Sequence, residues 1–428
     1  MPIDLSPAGQ PGAYPEHGPR FWPWLGIWFG CNVVGACFVV LLWPAGTPAR
    51  GFEFWGYVFG LPSLVFMVLL GLDRAGYEAL WIHAHYRNIH RRKWLESRVQ
   101  EAQRPLQVLG TGYCLPLADQ TLAAVMAAAK VLPNPQAPRK GSGVIVHGRF
   151  DETRSLADDP TDVPLPNVDE AGAEPAPLRR QVATVALKMA QALEPLVASL
   201  DALTQYESMH WPQVRVLASP DDAALRETQV RDALRIAGLP ALECQAVPAA
   251  DGLLVADAWL DAREQQPLLV IAAAWHDANP PVGSTEGCVA VLLGPGFYKP
   301  PEPVKVIGTL HRPVAGELTA LGDLFANTAI WGNADGPNMT RAWISNLAGQ
   351  HDTALLAGLR EASLSGIANF EAQWRPDRIV GDAGAANGWL SIAAAIESGE
   401  AGPQLIINHV QAAILYVEPH STHDTPDE

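Results

Sequence analysis

The sequence predicts an α/β domain of layered sheets and helices behind a transmembrane helical hairpin, and three observations carry that expectation. Two apolar stretches of membrane-spanning length lie near the start, strand-like and helix-like runs alternate through the remainder, and glycine- and alanine-rich turns sit at junctions between them. The 428 residues have room for a hairpin plus one large domain or two modest ones. A formal charge of -16 describes an acidic body that repels phosphate backbones, so nucleic acid is not an expected partner. Cys31, Cys37, Cys114, Cys244 and Cys288 are scattered without a C-x-x-C pair or metal-ligand spacing; no disulfide framework, metal or cofactor is expected.

After a tail over 1–20, Phe21 to Trp43 and Phe52 to Leu72 each approach the ~20 residues a spanning helix requires. Glu53 is their only charge, and aromatic residues crowd their ends, where amphipathic rings favour the headgroup layer. A pair of buried core helices is the alternative. A signal peptide fits poorly, because the tail is slightly acidic and no small-residue cleavage site separates the two stretches. Ala45 to Gly51 is a Pro/Gly turn, so 21–72 forms a hairpin with both termini on one side. Arg74, Arg87, Arg91, Arg92, Lys93, Arg98 and Arg104 make 73–105 a basic helical connector. Their excess places both termini and the soluble domain in the cytoplasm, against a bacterial inner membrane. Arg87, Arg91, Arg92 and Lys93 either meet anionic lipid headgroups or form a plain solvated face. Gly26, Gly30 and Gly35 suit close packing, more simply within the hairpin than on another protein.

Pro105 ends the connector, and 106–418 reads as the soluble domain. Its first half, about 106–297, opens with a strand at Leu106 to Tyr113. An alanine-rich helix (Gln120 to Val131), a strand at Gly143 to Val146 and an acidic exposed loop over 151–177 follow. Next come a helix from Arg179 to Leu203 kinked at Pro195, a strand at Val214 to Ala218, and helices over Asp221 to Ala237 and Leu253 to Ala262. Strands at Pro267 to Ala274 and Gly287 to Leu293 close this half. The second half, about 303–418, offers a strand at Val304 to Leu310, helices at Met339 to Leu347 and Thr353 to Ser363, and a strand at Arg378 to Val380. Two more strands, Leu405 to His409 and Ala412 to Val417, precede a tail over 419–428. Two halves of similar content suggest an internal duplication.

The junction Gly381-Asp382-Ala383-Gly384-Ala385-Ala386-Asn387-Gly388 is the most distinctive local pattern. Gly381, Gly384, Ala385, Ala386 and Gly388 let backbone approach backbone where a helix begins. Upstream, Gly283-Ser284-Thr285-Glu286-Gly287-Cys288 precedes an apolar strand, and Val108-Leu109-Gly110-Thr111-Gly112 opens the domain. In that order the three resemble the first strand, the Gly-Glu-Gly turn and the Gly-His-x-Gly-Ala-Ala-x-Gly motif of β-ketoacyl synthases, members of the thiolase superfamily. Over Leu106 to Val417 the resemblance implies a thiolase-like layered α/β/α/β/α sandwich of two related halves. Such domains usually pair through a sheet edge, which makes a homodimer the expected assembly.

The family's chemistry transfers less well. Condensation requires a cysteine at the N-terminus of a buried helix, where the dipole and backbone N–H groups stabilise thiolate and oxyanion. The resemblance places that position near Ala249-Ala250-Asp251-Gly252-Leu253, and Cys244 comes about two helical turns too early. One family histidine falls in Ile330 to Trp343, which has none; the other becomes Asp382, whose ionised carboxylate cannot donate a hydrogen bond. Asp382, Ala250 and Asp251 are therefore expected to be degenerate active-site positions, with Asp382 capping a helix. Cys288, beside Glu286 and near His276 and Asp277, and Cys244 are the alternative thiols.

The plan of membrane anchor plus degenerate condensing-enzyme-like domain resembles the adaptor proteins of type VI secretion clusters, which escort a lipase effector to the secretion spike. It implies a non-catalytic adaptor whose partners are the lipid bilayer and a protein, a secreted effector or secretion component. The alternative is a membrane-tethered acyl-binding or condensing enzyme, an acyltransferase of the β-ketoacyl synthase type, with a rearranged site.

Overall fold

The structure, a computed structural model, describes residues 6–419 apart from 19, 119, 151–159, 165–178, 207–209 and 277. It divides into two compact units between Gln100 and Glu101. In the first unit, α1 (Phe21–Leu42) is followed by one continuous helical run of 51 residues, α2 (Phe52–Ala102), with a π-helical turn at Gly56–Gly60. Both are long and apolar enough to cross a membrane. Span and connector form a single helix because no proline interrupts the chain between Pro62 and Pro105. A Cβ at Gly35 would collide with the Pro62 ring, so this glycine lets the two helices meet, whereas Gly26 and Gly30 face open space. Asn32, buried between them, donates to Trp28 O and accepts from Ser63 Oγ at 3.4 Å.

The second unit is built on one sheet of eleven strands. The first half contributes β1 (Leu106–Cys114), β2 (Gln213–Ala218), β3 (Cys244–Pro248), β4 (Leu268–Ala274) and β5 (Gly287–Pro295). From the second come β6 (Gly308–Leu310), β7 (Val314–Ala315), β8 (Arg341–Ser345), β9 (Gln373–Trp374), β10 (Gly402–Asn408) and β11 (Gln411–Val417). The spatial order is β9-β8-β10-β11-β6-β1-β5-β4-β2-β3, with β7 on β11. Leaving the short β7 aside, each half thus runs third, second, fourth, fifth, first strand, and in each the fifth is antiparallel to its neighbours. The two first strands, β1 and β6, pair antiparallel and join the halves. The duplication lies in topology, where no residue-level repeat announces it.

Helices fill three layers. Between the halves lie α3 (Leu122–Ala128), α7 (Leu254–Asp261) and α11 (Asn387–Ser398), sharing one apolar cluster with strands of both halves. Every residue of α11 from Asn387 to Ile396 is buried, which its small and apolar side chains permit. Outside the first half, α4 (Thr184–Leu193), α5 (Val197–Thr204) and α6 (Ala223–Ile236) cover the opposite sheet face. Outside the second, α8 (Leu321–Trp331) packs on β11 and α9 (Asp352–Glu361) on α8. The expected α/β/α/β/α layering results.

Several local expectations are corrected. Met339 to Leu347 is no helix: β8 occupies it, because Ala342 to Ser345 are all buried and paired by β9 and β10, and ladder bonds override helical propensity. Helix α8 was not anticipated. The segment leading into the glycine motif is helical, since Pro376 starts a turn, α10 (Pro376–Ile379), that Val380 N–H closes onto Pro376 O. Arg179–Ala183 is a strand paired with Pro160–Pro164, so the helix expected from Arg179 begins at Thr184; its kink is a 3₁₀ turn at Glu194–Leu196. The rest of the acidic loop and most of the C-terminal tail lie outside the described residues.

Candidate functional site

The turn between β3 and α7 carries the first candidate positions. After Pro248 the chain makes a 3₁₀ turn, Ala249–Asp251, and then places Gly252 at φ 48° and ψ -119°, a conformation suited to glycine. The side chain of Gln411, on the hairpin joining β10 and β11, closes over this turn. Its Nε2 donates to Ala250 O (3.0 Å) and Asp251 O (3.2 Å), and its Oε1 accepts from Leu253 N–H (2.9 Å). A Cβ at residue 252 would lie 2.6 Å from Gln411 Oε1 and 3.2 Å from Asn408 Nδ2. The space a side chain would need at this helix entrance is filled by a carboxamide. Cys244 lies at the other end of β3, its thiol pushed up to about 11 by burial.

The glycine motif meets the upstream turn directly. Asp382 N–H donates to Gly283 O (2.8 Å) and Asp382 O accepts from Thr285 N–H (2.9 Å), so the two motifs pair as a short parallel bridge. Gly381, at φ 107°, is held so close that a Cβ there would stand 3.0 Å from both Gly283 O and Thr285 Cβ. On its other side the 283–286 turn pairs with Val146 and Gly148. Glu286 accepts from Arg139 Nε (3.0 Å), Arg139 Nη2 (2.6 Å) and Phe150 N–H (3.2 Å), while the guanidinium lies over the Trp275 ring. Its carboxylate therefore clasps the turn in a saturated, buried pair instead of facing a substrate. His276 is pulled down by burial, an effect that the charges of Glu286 and Asp382 oppose; Asp277 lies outside the described residues.

Asp382 Oδ1 accepts from Gly384 N–H (2.7 Å) and from Asn387 Nδ2 (2.6 Å). It thus caps the 3₁₀ turn Gly384–Ala386, one turn ahead of α11, whose own N-cap position is Ala386. The expected helix cap is in this respect corrected. From Asp382 a line of amides runs across the domain: Asn387 Nδ2 also donates to Asn346 Oδ1 (2.6 Å), and Asn346 Nδ2 donates to Asn408 Oδ1 (2.8 Å) beside Gly252. Gly388 seats α11 on Leu253 and Asn408: a Cβ there would stand 3.1 Å from Leu253 Cδ2 and 3.2 Å from Asn408 Cβ, closer than side chains pack. The structure thus brings Asp382 and the Ala250–Gly252 turn to one site.

Asn346, Asn387, Asn408 and Gln411 were missed. The available signal was that Asn408 closes an apolar run, Leu405 to Ile407, and that Asn346 sits close to one, Ala342 to Ile344; in the structure Asn346 adopts φ 57°, which asparagine tolerates. The histidine-free segment Ile330 to Trp343 stops short of the site, since Ile330 and Trp331 end α8 and the residue that reaches the amide line is Asn346. Asp377, which accepts from Asn346 N–H at 2.8 Å, is pushed above the usual carboxylate range by burial. Cys288 is fully buried in β5, and its thiol is pushed far up by that burial. Arg87, Arg92 and Lys93 are exposed along α2, while Arg91 Nε donates to Gly9 O (2.9 Å).

No protein-family model and no curated protein matches the chain. Among solved structures, the oxazolomycin ketosynthase domain OzmH KS7 of Streptomyces albus JA3453 matches with a TM-score of 0.50 at 11% identity, covering 76% of this chain and 76% of that one. The fold is thiolase-like. The KS8 domain of the same system (TM-score 0.47, 12% identity, 76% and 98% coverage) is also similar. So is 3-oxoacyl-[acyl-carrier-protein] synthase III from Aquifex aeolicus VF5 (TM-score 0.41, 15% identity, 73% and 99% coverage). At such identities a shared thiolase-like fold carries no activity with it.

Proposed function

We propose that this chain is a non-catalytic thiolase-like adaptor, anchored in the bacterial inner membrane by its helical hairpin, that binds a protein partner and loads a type VI secretion effector. The observation that carries the non-catalytic part is Gln411 over the Ala250–Gly252 turn. A nucleophile at that helix entrance would need both a side chain and free N–H groups for an oxyanion. Residue 252 has no side chain, Gln411 fills the space one would take, and Leu253 N–H is committed to Gln411 Oε1. Asp382 and its neighbouring amides hold each other and offer no proton donor matched to an enolate. Of the two alternative thiols named above, Cys244 is at the far end of β3 and Cys288 is buried in the core.

Two helices of spanning length and the arginine-rich run after them support the anchor, with both termini and the thiolase-like domain cytoplasmic. The partner is proposed to bind either the loops rimming Asp382 or the acidic segment over 151–177. The test uses the full chain in detergent. Incubation with acyl-CoA or acyl carrier protein should leave its intact mass unchanged, while affinity purification from the native host recovers a reproducible partner encoded nearby. An acyl adduct on Cys244 or Cys288 would overturn the non-catalytic reading in favour of a membrane-tethered acyltransferase.

A further inference from the structure

We propose that Cys114 and Cys288 form a disulfide-forming dithiol site, oxidised by a small-molecule disulfide, at the edge of the turn that holds Glu286. The two cysteines are 174 positions apart in sequence (288 minus 114) yet are direct partners in the antiparallel ladder of β1 and β5. Residues directly opposite in such a ladder point to the same sheet face, with Cα atoms about 4.5–5.5 Å apart. That separation lies inside the window of about 4.4–6.8 Å that a disulfide spans. Both residues pack on the same apolar cluster beneath α4, which confirms the shared face.

Their exposures differ in a useful way. Cys288 is completely buried, whereas Cys114, the last residue of β1, is partly open. Cys114 Sγ lies 3.3 Å from Gln191 Oε1, and the same oxygen accepts from Lys188 Nζ at 3.3 Å, placing an ammonium group beside the pair. An incoming disulfide RSSR therefore meets Cys114 first. Its thiolate attacks one sulfur of RSSR and expels RS⁻, which takes up a proton. The Cys288 sulfur then attacks the Cys114 sulfur of the mixed disulfide, giving up its proton as it does so, and that proton leaves with the expelled RS⁻ as the second RSH. Two protein thiols and one RSSR become one protein disulfide and two RSH, with two electrons passing to the small disulfide. The new bond joins β1 to β5 two residues from Glu286.

The full chain in detergent is exposed to oxidised glutathione, blocked with N-ethylmaleimide and analysed by peptide mass spectrometry. The expected product is a peptide pair linked through Cys114 and Cys288 that dithiothreitol separates, with Cys244 remaining alkylated as an internal control. Cys288→Ser should trap one glutathione on Cys114, and Cys114→Ser should leave Cys288 reduced. Glutathione persisting on Cys114 of the unaltered chain, or both thiols reduced after oxidation, would overturn the proposal without reference to any variant's folding.

Discussion

Gly252 and Gln411 depend on each other at the scale of a few atoms. A methyl group at 252 meets a carboxamide oxygen at 2.6 Å and a backbone with φ 48° that L-residues resist. Gly252→Ala is expected to destabilise the domain by ~1–3 kcal/mol, the range for a strained backbone position. Because Gln411 supplies the collision but not the strain, adding Gln411→Gly should return part of that loss, a coupling that urea denaturation of the two single variants and the pair reads as non-additivity. Asp382→Ala removes a capping acceptor from Gly384 N–H and should cost ~1 kcal/mol by the same measurement. The glycine motif around Asp382 was legible in the sequence because its meaning is local: small residues in a row force close packing. The line Asn387, Asn346, Asn408 was not, since its members come from three elements and each, alone, reads as an ordinary turn or strand-end asparagine.

Strand β3 illustrates what an element adds. It is an outer strand, paired only with β2, and Val214 N–H donates to Glu243 O, so by alternation Cys244, Ala246 and Pro248 turn their backbone groups away from the sheet. Pro248 has no N–H, and Ala246 N–H is taken by Glu227 Oε1 of α6 at 2.8 Å. This edge is blunted against strand addition. Glu227→Ala should therefore raise self-association, read by sedimentation, and speed exchange of the Ala246 amide. The bond to Ala246 N–H, with Arg231 behind it, holds the Glu227 carboxyl below the usual range. Its contribution to stability is present above the ordinary carboxylate pKa and is lost as pH falls through the lowered folded value, a loss that Glu227→Gln should abolish. Strand β8 shows the opposite kind of illegibility: Arg341 to Ser345 has no strand alternation because both its faces are buried, and only its two partners distinguish it from a helix.

For the whole molecule, the same strand order in both halves explains why a duplicated domain was legible as a class while its join was not. Pattern and turns reveal alternating strands and helices, but the pairing of β1 with β6 involves only three residue pairs and leaves no periodic trace. The two apolar helices are the reverse case, because their length and apolarity are legible directly in the sequence. At ~1.5 Å per residue, α1 is long enough for a hydrocarbon core of ~30 Å. Its neighbour continues far beyond that length as one unbroken basic helix. If the arginines hold the connector in the cytoplasm, the turn between the helices must face the other side. In a chain freed of its native cysteines, Thr47→Cys should be labelled by a membrane-impermeant maleimide on intact cells, and Gln103→Cys only after lysis. Labelling of both sites on intact cells, or of neither until lysis, would refute the two-span topology, and labelling of Gln103→Cys alone would invert it.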